Sequence, residues 1–84
     1  MKFNVFVIES NGEYYYSLKG ADFRPPAEAT VFRSEKAAKA QIRHAIRHHE
    51  EYVERTKEHF PDHAARAQTL VDRWKNATKV VQIA

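Results

Sequence analysis

Several residue types that small proteins use for cross-linking or catalysis are missing or scarce in this chain. Cysteine is absent from the 84 residues, which excludes disulfides, zinc–thiolate sites and thiol catalysis within them. The only glycines are Gly12 and Gly20, so no glycine-rich phosphate loop can form. Neither a G-x-S-x-G nucleophile motif nor a Walker lysine occurs. We therefore expect no enzymatic activity and no cofactor.

Long apolar runs are also missing. No apolar stretch approaches the roughly 20 residues that span a bilayer. The N-terminal MKFNVFVIES lacks the long apolar segment and the cleavage site of a signal peptide. We therefore expect a cytoplasmic protein with no membrane partner, formed by a single small domain over residues 1–84. The formal net charge of +3 gives only a weak indication of a polyanionic partner.

The stretch from Phe3 to Lys19 predicts a β-hairpin. Its centre is Asn11-Gly12, which favours a type I′ turn because both central residues of that turn need positive φ. With this turn as the loop, Val7 is expected to face Tyr16, and side chains alternate between two faces of the hairpin. One face carries Phe3, Val5, Val7, Tyr14, Tyr16 and Leu18. We expect helices to cover that face.

The remainder of the chain predicts one more short strand, two helices and a C-terminal strand. Pro25-Pro26 fixes a loop, because neither proline can donate a ladder hydrogen bond. Ser34 has the character of a helix N-cap, and apolar residues then recur at three- and four-residue spacing. Pro61 should end this helix near His59 and open the next one. The predicted elements are a third strand Ala29–Arg33, helices from Ser34 to His59 and from Pro61 or Asp62 to Asn76, and a strand Thr78–Ala84.

This order, ββ(β)ααβ, predicts an α+β fold in two layers. Two amphipathic helices can cover one face of an antiparallel or mixed sheet. The C-terminal strand returns after the helices, and we expect it to pair beside the first strand. The sheet face turned away from the helices should then remain open.

The second face of the hairpin is our predicted partner surface. It carries Phe6, Ile8 and Tyr15, with Lys19 as a polar edge. An antiparallel sheet covered on one side usually shows polar residues on its open side, and this face does not. Exposed apolar clusters often mark binding sites. We therefore predict that a host protein or a second copy of the chain binds this open sheet face.

The first helix offers an alternative surface. Lys36, Lys39, Arg43 and Arg47 line one side of its first half, where a basic stripe could lie along nucleic-acid phosphates. Four glutamates follow in the second half and would repel phosphate: Glu50, Glu51, Glu54 and Glu58. The alternative interpretation, without a binding function, is a solvated helix face stabilised by i, i+4 ion pairs.

Histidines are numerous on the same helix. His44 and His48 lie one turn apart, with Glu51 close by, and such a set could bind a divalent transition metal. The spacing does not match H-E-x-x-H. We interpret the pair as surface histidines and predict no metal site. His49 lies on the apolar stripe, where we expect a packed, hydrogen-bonded residue.

A resemblance supports the binding interpretation. The hairpin with Gly12-Glu13-Tyr14 is followed by Ala29-Thr-Val-Phe-Arg-Ser34, which leads into an alanine-bearing helix. This pattern resembles small uncharacterised bacteriophage and prophage proteins that carry a G-x-Y hairpin and an A-x-V-F-x-S strand. The double proline and the longer second half depart from that pattern. The resemblance implies an accessory protein that binds a host protein, such as an inhibitor of a host defence system.

The predicted function is therefore a non-enzymatic protein-binding module. It would act by steric occupation of its partner or by self-association through Phe6, Ile8, Tyr15 and Lys19. The alternative is a small nucleic-acid-associated regulator that uses the basic half of the first helix.

Overall fold

The computed structural model describes residues 4–17, 22–25 and 29–83. Within these ranges the chain forms strands and helices in the order β1, β2, β3, α1, α2, β4. Their bounds are β1 Phe6–Ser10, β2 Glu13–Tyr15, β3 Phe23–Arg24, α1 Glu35–Thr56, α2 Pro61–Asn76 and β4 Lys79–Gln82. The helices pack on one face of the sheet, so the predicted two-layer α+β fold is confirmed.

The hairpin turn forms as predicted. Asn11 and Gly12 have φ of 53° and 83°, the positive values that a type I′ turn requires. Beside the turn, Glu9 pairs with Tyr14 across the antiparallel β1–β2 ladder. Beyond that pair the two strands part, and the segment around Phe32 inserts between them.

The inserted segment consists of residues 29–33, which we predicted to form the third strand. The backbone N–H and C=O of Phe32 bond to those of Phe6, at 2.8 Å each, in an isolated bridge. The Thr30 N–H donates to the Tyr15 carbonyl at 2.8 Å. Residues 29–33 therefore contribute single bonds and not a strand, and the third strand is β3, which pairs with β2. Pro25 follows β3 directly and prevents its extension, because proline has no N–H to donate.

The four strands lie in the order β3-β2-β1-β4, and each neighbouring pair is antiparallel. The predicted pairing of the C-terminal strand beside the first strand is confirmed, with Val7 opposite Val81. β1 therefore occupies the interior of the sheet with a partner on each side.

The helix ends follow the sequence signals closely. Ser34 is the N-cap of α1, and its hydroxyl accepts a hydrogen bond from the Ala37 N–H at 3.0 Å. α1 ends at Thr56, somewhat before the predicted His59, and a turn leads to α2. Pro61 is the first residue of α2, which decides between the two predicted starts.

The helices pack against Phe6 and Ile8, which lie on the hairpin face opposite to the one we predicted, although Val7 of the predicted core face is also buried, at 2% exposure. Phe6 and Ile8 are 8% and 0% exposed, and they form one core cluster with Trp74 of α2 and Ala45 of α1. Tyr15 packs against the same cluster. The expectation that these residues lie on an open face is therefore wrong.

The physical reason is that the hairpin alone did not decide the core face. The face that we predicted as core carries six apolar or aromatic side chains and the other face carries three, so residues outside the hairpin must reverse the preference of the hairpin itself. Phe23 of β3, Val80 of β4 and Phe32 all add apolar surface on the Phe6 face. Trp74 of α2 packs against the same residues, and burial of this combined apolar surface is favoured.

The two helices extend beyond the sheet. α1 has 22 residues and is about 33 Å long, whereas the five residues of β1 span about 17 Å. Towards its C-terminus α1 packs on α2, which buries Ala64 and Ala67. The molecule therefore presents a long, solvent-facing side of α1.

Candidate functional site

The predicted partner surface is built into the core. Tyr15 lies edge-on to Trp74, with 5.3 Å between ring centroids, and stacks with Phe32 at 6.2 Å. Phe6 and Ile8 are buried beneath the helices. Lys19, the predicted polar edge, lies outside the described residues, as do Phe3 and Leu18. The three described residues stabilise the fold and are not available to a partner on an open sheet face.

A polar cluster lies at the border of this core. Asp22 stands just before β3, and its Oδ2 accepts hydrogen bonds from His49 Nε2 at 2.7 Å and from Trp74 Nε1 at 2.9 Å. A carboxylate oxygen only accepts, so both ring nitrogens donate. Asp22 therefore joins the strand segment to both helices. The prediction that His49 is a packed, hydrogen-bonded residue is confirmed.

The phenol of Tyr15 borders the same cluster. Burial raises the pKa of Tyr15 above its ordinary value of 10.0, and the nearby Asp22 carboxylate raises it further. A cleft of about 230 Å³ opens beside these groups, lined also by Gln41, His44 and His48. Because Asp22 binds His49 and Trp74, the arrangement is that of a structural cross-link at the rim of the core.

The histidines do not assemble into a metal centre in the described part of the chain. No group of three or more His, Cys, Asp or Glu residues there could hold a metal ion. His48 instead lies edge-on to the ring of His49, with 5.3 Å between centroids. The alternative set of His44, His48 and Glu51 therefore lacks the geometry of a ligand group.

A second cross-link, which the sequence did not reveal, ties α2 to the hairpin. Arg73 donates from Nε to the Ser10 hydroxyl at 2.7 Å, and from Nη2 to the Ser10 carbonyl at 3.0 Å and to Glu13 Oε1 at 2.9 Å. Its guanidinium also lies 4.1 Å from the ring centroid of Phe23. Arg73 thereby provides hydrogen-bond donors to Ser10, which is only 1% exposed. No local pattern marks this pair, because the two residues are far apart in the sequence.

The side of α1 that faces away from the core is rich in charged residues. Its first half presents the basic stripe, whose residues recur at helical spacing and are all exposed: Lys36, Lys39, Arg43 and Arg47. Lys39 pairs with Glu35 at 2.7 Å. Among the described residues, Lys36, Arg43 and Arg47 make no ion pair or side-chain hydrogen bond. These three cations are therefore available to an external partner.

The second half of the same side is acidic. Its exposed glutamates are Glu50, Glu51, Glu54 and Glu58. Glu50 reaches across to Lys75 of α2 at 3.0 Å, and Glu54 pairs with Lys57 at 2.8 Å. A shallow groove of about 490 Å³ marks the place where the two halves meet, next to Arg47. We call this charged side, from Lys36 to Glu54 on the helix together with Glu58 in the turn that follows it, the outward face of α1.

Large apolar side chains are exposed only singly in the part of the chain that the structure describes. They are Val31, Phe60 and Ile83, which are 58%, 58% and 56% exposed. Val31 precedes α1, Phe60 lies at the turn between the helices, and Ile83 follows β4. Isolated apolar residues of this kind are normal on protein surfaces, so they define no patch.

Comparison of the chain with protein-family models, curated proteins and solved structures finds no match. Within the described residues, no helix has both the length and the apolar character needed to cross a membrane.

Proposed function

We propose that this chain is a non-enzymatic protein-binding module whose contact surface is the outward face of α1. The supporting observation is the segregation of charge along that face, with exposed cations in one half and exposed glutamates in the other. The apolar residues that the sequence offered as a docking surface are used in the core. The outward face is a patterned surface that the described residues leave exposed.

Such a face favours recognition by complementary charge. Electrostatic complementarity accelerates association and selects partners more than it adds affinity. Isolated exposed ion pairs contribute little, about 0–1 kcal/mol each, so several must act together. The partner should therefore carry an acidic and a basic stretch in the opposite order, and binding should weaken as salt is added.

Nucleic-acid binding is the second candidate, because Lys36, Arg43 and Arg47 have no partner among the described residues. Phosphate contacts would release counterions, so affinity for DNA or RNA should fall steeply with salt. The glutamates on the same face oppose this function, since they would repel the phosphate backbone. Retention on immobilised DNA or RNA at low salt, lost on Arg43→Glu, would favour nucleic acid over protein.

The experiment that tests the protein-binding proposal compares capture by three purified baits from a bacterial lysate. Wild-type protein should retain a partner that Arg43→Glu/Arg47→Glu loses. Arg66→Glu is the control, because Arg66 is exposed on α2 and lies away from the outward face of α1. The captured protein is then purified and titrated at several salt concentrations. If every captured protein binds all three baits equally, the outward face of α1 is not a contact surface for any protein of that lysate.

A further inference from the structure

We propose that the partner of the outward face of α1 is a second copy of this chain. The inference rests on the proposed function, because it identifies what that face binds. Two α1 helices would lie antiparallel across a twofold axis, so that the basic half of each helix meets the acidic half of the other. Such an interface is self-complementary, as a twofold contact must be.

The spacing of the charges fits this arrangement. When Arg43 of one copy lies level with Glu54 of the second copy, Arg47 lies level with Glu50 and Lys39 with Glu58. All of these side chains are exposed on the outward face. The twofold axis repeats each of the three matches, so a single register opposes charges along both helices.

A parallel arrangement of the two α1 helices would bring like charges together. It would place Arg43 beside Arg43 and Glu54 beside Glu54, and like charges at close range destabilise an interface. The charge pattern therefore selects one orientation. It also argues for a second copy over an unrelated protein, since a partner with this charge order already exists in the chain itself.

Ion pairs within one copy do not block the interface. Lys39 binds Glu35, Glu54 binds Lys57 and Glu50 binds Lys75 of α2, and these six side chains are between 46% and 70% exposed. Pairs of that kind contribute little and can exchange partners. Arg43 and Arg47 have no such pair among the described residues, so both are available to the second copy.

The association should be weak and dependent on salt. The outward face carries no large apolar residue, and stable interfaces usually have an apolar centre. Screening over a Debye length of about 10 Å at 0.1 M salt would reduce the attraction between exposed charges. We therefore expect dimers at high protein concentration and low ionic strength, and monomers in concentrated salt.

The test uses charge reversal and sedimentation equilibrium at low salt. Arg43→Glu alone should be monomeric, because the introduced glutamate would face Glu54 in both halves of the dimer. Glu54→Arg alone should also be monomeric, because the introduced arginine would face Arg43. An equimolar mixture of the two variants should dimerise at least as well as wild type, because every reversed charge then meets its opposite.

Two controls keep the result specific. Arg66→Glu changes the net charge by the same amount away from the outward face and should dimerise like wild type. A mixture of Arg43→Glu with Glu58→Arg should stay monomeric, because the glutamate introduced in the first variant still faces Glu54 of the second in the proposed register. Both substituted positions in the main test are exposed on α1, Arg43 in its first half and Glu54 in its last turn, and circular dichroism verifies that the variants are folded.

A wild-type protein that stays monomeric at millimolar concentration and low salt would overturn the proposal. So would single variants that dimerise as well as wild type, or a mixture that is not restored. These failures are distinguishable from failure of the proposed function. If lysate capture still depends on Arg43 and Arg47, the outward face remains a contact surface and only its occupant is wrong.

Discussion

Among substitutions of partly exposed residues at the rim of the core, removal of the Asp22 carboxylate should cause the largest loss in the free energy of unfolding. In Asp22→Ala, the Trp74 indole N–H loses its acceptor at 2.9 Å, and this residue is only 1% exposed. A buried donor left unpaired costs about 1–3 kcal/mol. The His49 side chain is 16% exposed and can recruit water, so we assign it about 1 kcal/mol. The expected loss is therefore about 2–4 kcal/mol in the free energy of unfolding.

The assay is equilibrium urea unfolding followed by far-UV circular dichroism and by fluorescence of the single tryptophan, Trp74. Asp22→Asn keeps an oxygen acceptor and loses only the charge, so its loss should be smaller, about 0.5–1.5 kcal/mol. Asp72→Ala is the matched control, because its carboxylate is exposed and accepts one bond from Gln68 at 3.1 Å. That variant should lie within about 0.5 kcal/mol of wild type. An Asp22→Ala protein as stable as the control would refute the role of Asp22 as a cross-link.

Substitutions in the core and at its rim should have effects of predictable size. Ile8→Ala should lower the free energy of unfolding by about 2–5 kcal/mol in urea titrations, because Ile8 is 0% exposed and truncation leaves a cavity. A loss below about 1 kcal/mol would place the helices on the other sheet face. Arg73→Met should lose about 1–3 kcal/mol, because it leaves the buried Ser10 polar atoms unpaired, and thermal unfolding of wild type and variant measures this. Stability should fall as pH rises above about 10, because the raised pKa keeps Tyr15 neutral in the folded protein while the unfolded chain ionises. Tyr15→Phe should reduce that fall above about pH 10 relative to the Tyr14→Phe control, and an identical slope in both variants would contradict it.

Local signals in the sequence predicted local structure well. The Asn11-Gly12 turn, the Ser34 N-cap and the Pro61 start of α2 each depend on a few neighbouring residues, and all three form. The amphipathic stripes of both helices also predicted their buried sides. From these elements the two-layer fold followed, because two such helices must cover a sheet.

The prediction failed where distant residues decide the outcome. Which hairpin face is buried depends on Phe23, Phe32 and Trp74, and their placement follows only from the assembled sheet. The predicted partner surface was therefore wrong, because Phe6 and Ile8 lie in the core. In contrast, the charged side of α1 follows from helical spacing alone, so its exposure could be predicted before the structure was known.

The cross-links formed by Asp22 and Arg73 could not be predicted from the sequence. Each joins residues from separate elements through side-chain geometry that no local pattern encodes. They explain how a short β3 and a small sheet hold two long helices. Neither cross-link involves the outward face of α1, to which we assign the contact function.

Intermolecular paramagnetic relaxation would locate the second copy on the outward face of α1 without changing any of its charges. Ala40→Cys introduces the only thiol in the chain, at an exposed position on α1 beside that face. A spin label on this thiol is mixed with isotope-labelled wild-type protein at low salt. We expect line broadening of amides around Lys57, at the acidic end of α1 in the second copy. No broadening, or broadening centred on the strands of the sheet, would contradict the antiparallel dimer.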